Sequence, residues 1–129
     1  MTLAMRKALR SAGIPAAAVG CLAAHGTGTV YNDSMEMKAF KTVFGTRTLP
    51  AYSIKGGTGH TMGAAGLLEM MVAFQALLHE TIPPTVNLRD IDDEARGWVW
   101  SEPRQLIGKI AVSVNAGFGG INAALVLKR

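Results

Sequence analysis

Apolar residues Leu3, Met5, Ala8, Leu9 and Ala12 recur at the three- and four-residue intervals of an amphipathic helix. Gly13 and Ile14-Pro15 supply its stop. From Val19 to Ala24 the apolar positions run together instead of alternating, the pattern of a short strand covered on both faces. Asp33-Ser34-Met35-Glu36 has capping-box spacing and predicts a helix opening there and running to about Phe44, with Gly45 closing it. Ala51 to Ile54 reads as a second short strand. Lys55-Gly56-Gly57-Thr58-Gly59 predicts a flexible loop. It feeds a long helix from about His60 to His79, apolar nearly all round and expected to lie buried between layers. Ile82-Pro83-Pro84-Thr85 is extended, because proline disfavours helix in the residue before it. Residues 87–106 read as polar and irregular. Lys109–Val114 and Ile121–Lys128 form a strand pair joined across Asn115–Gly120.

The order α-β-α-β-α-β-β predicts an α/β domain, with helices layered on a mixed sheet that ends in an antiparallel pair. At 129 residues the chain suits one domain, 1–129. Hydrophobic residues at 49 % and charged residues at 17 % exclude a disordered chain. A mean hydropathy of +0.23 is high for so small a domain and predicts that a partner covers some apolar surface.

Thirteen Lys and Arg against nine Asp and Glu give a net charge of +4, with Arg6, Lys7 and Arg10 the densest group. That charge is too dispersed, and aromatics at 6 % too sparse, for a nucleic-acid surface. It supports a mild preference for acidic partners. The longest apolar stretch, Met62–Leu78, carries Glu69 and Gln75. A carboxylate at mid-membrane costs about 3 kcal/mol, so a buried helix of a soluble protein is expected and no membrane span. The N-terminus has no apolar signal core, and the single Cys21 has no internal partner; both point to a reducing, cytoplasmic setting.

Candidate chemistry gathers at element ends. His25 follows the first strand within His25-Gly-Thr-Gly-Thr29, and His60 follows the Gly-rich segment. Open α/β sheets bind ligands at strand C-termini, which favours a functional role over two structural histidines. A histidine at a helix N-terminus is held neutral and can donate to a carbonyl. His79, at a helix end, reads as solvated. No HxxxH, HExxH or CxxC spacing is present, so no metal is expected. Lys55–Gly59 lacks both the Walker pattern and GxGxxG. Cys21 sits in an apolar strand, where a thiol is inert, and is assigned to the core. Thr27 and Thr29 between glycines are also consistent with simple turn chemistry.

Three motifs together carry a resemblance: His25-Gly-Thr-Gly-Thr29 with Asn32, Asp33 and Glu36; Lys55-Gly-Gly-Thr-Gly-His60-Thr-Met-Gly-Ala-Ala-Gly66 with Glu69; and Gly117-Phe-Gly-Gly-Ile-Asn122. In order and spacing the chain resembles the C-terminal half of a β-ketoacyl-acyl carrier protein synthase, an elongating condensing enzyme of the thiolase-like superfamily. The resemblance implies a Cys-His-His site whose two histidines are His25 and His60, holding the malonyl thioester carbonyl during decarboxylation. It implies that Lys55 organises the site and that Glu69 is its buried ionic partner. Thr27 and Thr29 would bind the phosphopantetheine arm, and Phe118 would be the gatekeeper whose N–H joins the oxyanion hole. No cofactor of the chain's own is implied, since phosphopantetheine arrives on acyl carrier protein. The implied partners are that carrier, a cysteine-bearing N-terminal half, and a second copy in a homo-oligomer.

The sequence departs from the family at several points. No residue matches the nucleophilic cysteine, which belongs to the family's N-terminal half. Ala116 replaces an aromatic, and Gly56-Gly57 replaces the usual Ser-Met. The family's first strand of this half has no counterpart either. That strand is expected at the centre of the sheet, so a gap or a non-family strand order follows, and with it an unstable, inactive isolated chain. The alternatives are a non-catalytic subunit like a chain-length factor, or an inactive truncated fragment.

Overall fold

The computed structural model describes residues 1–45 and 47–129. Helix α1 (Thr2–Ala12) leads through a 3-10 turn to strand β1 (Cys21–Ala23), helix α2 (Val30–Phe44) and strand β2 (Ala51–Tyr52). A short helix α3 (Lys55–Thr58) and a 3-10 turn (Met62–Ala64) precede helix α4 (Ala65–His79). Strands β3 (Thr81–Ile82), β4 (Arg104–Gln105), β5 (Ile110–Ala116) and β6 (Asn122–Lys128) complete the chain.

The main sheet has the order β2-β1-β5-β6. Strand β1 is parallel to β2 and β5, while β5 and β6 are antiparallel, with Ile110 opposite Lys128 and Ala116 opposite Asn122. The expected gap at the sheet centre is absent: Leu22 stands directly opposite both Ala51 and Val112. The strand thought to be missing from the middle has no place there, because β1 and β5 already satisfy each other's backbone groups. Among the described residues the main sheet's unpaired edges are those of β2 and β6.

Two apolar clusters hold the layers. On one face Leu22, Ala24, Ile110, Val112 and Val114 pack with Met5 and Leu9 of α1 and Met37, Phe40 and Phe44 of α2. On the other, Cys21, Ala23, Tyr52 and Ala111 pack with Ala73 and Leu77 of α4. Strand residues alternate between the two clusters, which explains why β1 reads as a continuous apolar run.

Four local expectations are corrected. Helix α2 opens at Val30, not at the capping-box pattern, and Thr29 makes no side-chain cap bond; Glu36 is drawn into the loop before the helix instead. The Lys55–Thr58 segment is a helical turn, not a flexible loop. A Cβ on Gly56 would stand 1.9 Å from the Val86 carbonyl oxygen, so glycine serves close packing there. Helix α4 is buried on one face only. Ala65, Glu69, Ala73, Ala76 and Leu77 face inward, whereas Leu67, Met71, Phe74 and Leu78 are exposed, since one layer alone covers the helix. Within the segment read as irregular, Arg104–Gln105 pairs antiparallel with Thr81–Ile82.

Met62–His79 is long and apolar enough to cross a membrane by length and composition. In this fold Glu69 sits on its inward face, against the sheet.

Candidate active site

The C-terminal ends of β1, β2 and β5 deliver the site. His25 lies just beyond β1, Lys55 just beyond β2, and Asn115 near the end of β5. This is the strand-end position at which an open parallel arrangement leaves backbone and side chains free to meet a ligand.

His25 and His60 meet edge to face, with ring centroids 5.4 Å apart and planes at 80°. His25 is buried and His60 exposed, so the pair runs from the interior to the surface. His60 does not open α4. It precedes the Met62–Ala64 turn, and the Met62 backbone N–H donates to its Nδ1 at 3.1 Å. With Nδ1 accepting, the ring proton of neutral His60 resides on Nε2, which is then a donor.

The backbone of His25 is fixed by Glu36. The Glu36 carboxylate accepts the N–H of His25 at 2.8 Å, the N–H of Gly26 at 2.7 Å and the Asn32 amide at 2.8 Å. Burial pushes the Glu36 carboxyl up, and these three donors pull it back. Gly26 has φ +43°, and a Cβ there would lie 2.5 Å from the Ser53 Cβ. The Ser53 hydroxyl donates to the Gly26 carbonyl at 2.8 Å, tying this turn to β2.

Beneath His25 lies a polar network. The Lys55 ammonium is ion-paired with Glu69 and donates to the His25 carbonyl. Its Nζ is also 3.4 Å from His25 Nδ1. The Asn115 amide donates to the second Glu69 oxygen at 2.8 Å, leaving its Oδ1 3.3 Å from His25 Nδ1. Glu69 is 1 % exposed, and the network explains how an apolar helix carries a carboxylate. Burial pushes the Glu69 carboxyl up, while Lys55 and Asn115 counter the rise. Burial, then the neighbouring Lys55 charge, hold the His25 imidazole below its ordinary pKa of 6.5. His25 is therefore kept neutral at physiological pH. Among the described residues, no hydrogen bond engages Nε2 of either histidine.

A cleft of about 380 Å³ opens beside this network, lined among others by Thr27, Ser34, Lys55, His60, Thr85 and Leu88. Thr27 and Thr29 bond to each other through their hydroxyls at 2.9 Å, and Thr27 alone of the two lines the cleft. Phe118 stands apart: it lies on the turn between β5 and β6 with its side chain fully exposed, outside the cleft lining. Cys21 is wholly buried in the α4-side cluster, and burial pushes its thiol up to about 12. Among the described residues, no group of three or more His, Cys, Asp or Glu is placed to hold a metal ion.

Asn115 and the anchoring role of Glu36 escape sequence reasoning. Glu36 was accessible as a carboxylate within the His25 motif, but its spacing to Asp33 reads equally as a capping box. Asn115 is an ordinary residue at a strand end, and its partner Glu69 lies 46 positions away.

The layered α/β fold is shared with solved ketosynthase structures. The family model described as "Beta-ketoacyl synthase, C-terminal domain" matches residues 1–89, and the chain belongs to that family. It is 40 % identical over 131 residues to 3-oxoacyl-[acyl-carrier-protein] synthase 2 of Coxiella burnetii, covering 99 % of this chain and 32 % of that protein. The crystal structure of a β-ketoacyl synthase from Burkholderia phymatum superposes with a TM-score of 0.92 at 35 % identity, over 99 % of this chain and 32 % of that one. A type II polyketide synthase ketosynthase, solved in complex with its acyl-carrier protein and bound to the hexaketide, superposes with a TM-score of 0.91 at 27 % identity, over 98 % of this chain and 32 % of that one. The chain thus spans about a third of the length of these relatives. TM-scores of this size show that the strand order is that of the family.

Proposed function

We propose that this chain supplies the malonyl-decarboxylating part of a condensing enzyme that extends acyl chains by two carbons in fatty acid or polyketide synthesis. The observation that carries the reading is the His25–His60 pair, 5.4 Å apart, with Lys55 beneath it and a cleft beside it. The Nε2–H of His60 donates to the malonyl thioester carbonyl, and neutral His25 shares that oxygen. As the malonyl carboxylate leaves as carbon dioxide, the electron pair of its C–C bond passes into the enolate, whose oxygen both rings stabilise. Donors fixed before the reaction need no reorganisation as charge develops. The enolate carbon then attacks an acyl thioester held on a cysteine from a separate N-terminal half, releasing the thiolate and forming the ketoacyl product.

In this reading burial, aided by the Lys55 charge that Glu69 holds in place, keeps His25 deprotonated, and Thr27 and Thr29 bind the phosphopantetheine arm. Phe118 closes the acyl pocket once that half is present. Phosphopantetheine enters on acyl carrier protein, and the chain holds no cofactor of its own. The buried, unpaired Cys21 suits a reducing cytoplasm, and the exposed stripe on α4 suits a larger or homo-oligomeric assembly. Retention of both histidines and Lys55 argues against a non-catalytic chain-length-factor role.

The test measures carbon dioxide and ketoacyl product from malonyl-carrier, with and without a cysteine-bearing N-terminal synthase half. Ketoacyl product only from the combination supports the proposal. No carbon dioxide under either condition overturns it.

A further inference from the structure

Resting on that reading, we infer that Asn87 is a positioning residue of the site, its amide holding the segment that carries Lys55 at one end and leads to His60 at the other. Asn87 has φ +63°, one of three non-glycine residues in the left-handed region among the described residues. It stands third in a tight turn, residues 85–88, which the Leu88 N–H closes on the Thr85 carbonyl at 3.3 Å. A third position with positive φ takes glycine or asparagine. Glycine alone would meet that demand of the backbone. Asparagine adds a donor, and the donor is used: the Asn87 amide donates to the Gly56 carbonyl at 2.7 Å.

The Gly56 carbonyl lies toward the C-terminal end of α3, where the last carbonyls of a helix have no partner within it. Among the described residues no backbone N–H reaches it, whereas the Lys55 carbonyl accepts from Gly59. Asn87 thus completes the bonding of a single helical turn that is too short to hold itself. The turn that bears Asn87 is in its own right tied to the scaffold. The Thr85 N–H donates to the Trp100 carbonyl at 2.9 Å, and the Thr85 hydroxyl accepts the Ser53 N–H at 3.3 Å. The Ser53 hydroxyl accepts the Lys55 N–H at 3.3 Å, at the start of α3. Gly56, with no Cβ to meet the Val86 carbonyl, lets the two segments come together. Lys55 and His60 flank this contact in the chain. A shift of α3 therefore moves the ammonium beneath His25 and the His60 ring together. The turn itself lines the cleft. Asn87 is exposed, and a solvated hydrogen bond adds little to global stability. Its loss is expected in the geometry of the site, not in the melting of the fold.

The experiment measures carbon dioxide release from malonyl-acyl carrier protein by the full chain with a cysteine-bearing N-terminal half, for the parent, Asn87→Gly and Asn87→Asp. Both replacements tolerate a left-handed backbone, and both remove the donor. Rates are normalised to the folded fraction, and the His25 ring is titrated by NMR in each chain. Positioning by the amide predicts kcat lowered about tenfold in both variants, with KM changed by less than about twofold. It also predicts a His25 midpoint that rises toward the ordinary 6.5 in both, because the Lys55 charge that adds to burial in holding that ring neutral moves away. Parent kcat in either variant overturns the proposal and leaves the function intact, since the position then supplies backbone shape alone. A raised KM at parent kcat overturns it as well, since the side chain then meets the substrate. No carbon dioxide from the parent combination counts against the function itself. The His25 midpoint still decides the positioning role in that case, and an unchanged midpoint in both variants overturns it.

Discussion

The Lys55 ammonium is ion-paired with the Glu69 carboxylate inside the layer between sheet and helix, and it also donates to the backbone carbonyl of His25. A pair this buried is held by its own complementarity, and removing one member strands the other. Glu69→Ala is therefore expected to destabilise the fold by about 3–5 kcal/mol. Glu69→Gln, which keeps an acceptor for Lys55, is expected to cost less. Urea titration of the variants checks both, and unchanged midpoints would contradict the pairing.

Glu36 is the second support of His25. Glu36→Gln places an amide against the N–H of His25 or Gly26, and leaving one such buried donor unsatisfied costs about 1–3 kcal/mol. Slowed hydrogen exchange at the His25 and Gly26 amides in the parent chain, lost in the variant, is the expected signature.

Acid acts on the site through His25. Its folded pKa lies below the ordinary 6.5, so between those two values the unfolded chain binds more protons than the folded one. Stability contributed by this group therefore rises with pH through that window and is lost as pH falls through it. Activity that needs the neutral ring follows the same direction. An NMR titration of the His25 ring is expected to give a midpoint below 6.5, and a midpoint above it would contradict the account.

Close packing sets the position of Lys55. Gly56→Ala drives a Cβ into the Val86 carbonyl and is expected to cost about 1–3 kcal/mol in overpacking. Gly63→Ala, with nothing within 4 Å of its Cβ, serves as the near-neutral comparison. Thermal melts of the two variants distinguish a steric cause from a general loss of glycine.

Much of this was legible in the chain. Cys21, Leu22 and Ala23 read as a doubly covered strand because their side chains alternate between two apolar clusters. His25 and His60 were visible as polar residues set among glycines at element ends, and Glu69 as a carboxylate on an apolar helix needing a partner. What failed was long-range. The tight turn at Lys55–Thr58 depends on the Val86 backbone, 30 residues on from Gly56, and glycine alone reads as flexibility. The exposure of Phe74 and Leu78 reflects how many layers cover α4, which local periodicity does not encode. The sheet order was misplaced for the same reason: which strands pair is set by β1 meeting β5, across about 90 residues.

The central claim is that His25 and His60 act together on one thioester carbonyl. Carbon dioxide release from malonyl-acyl carrier protein, measured with a cysteine-bearing N-terminal half present, tests it in the parent chain and in His25→Ala, His60→Ala and the double variant. Each single substitution is expected to lower the rate by about 10²–10³-fold, the range for losing one oxyanion donor. The double variant is expected to fall well short of the product of the two losses, because groups acting as a unit are not additive. Release at the parent rate from either single variant would contradict the account.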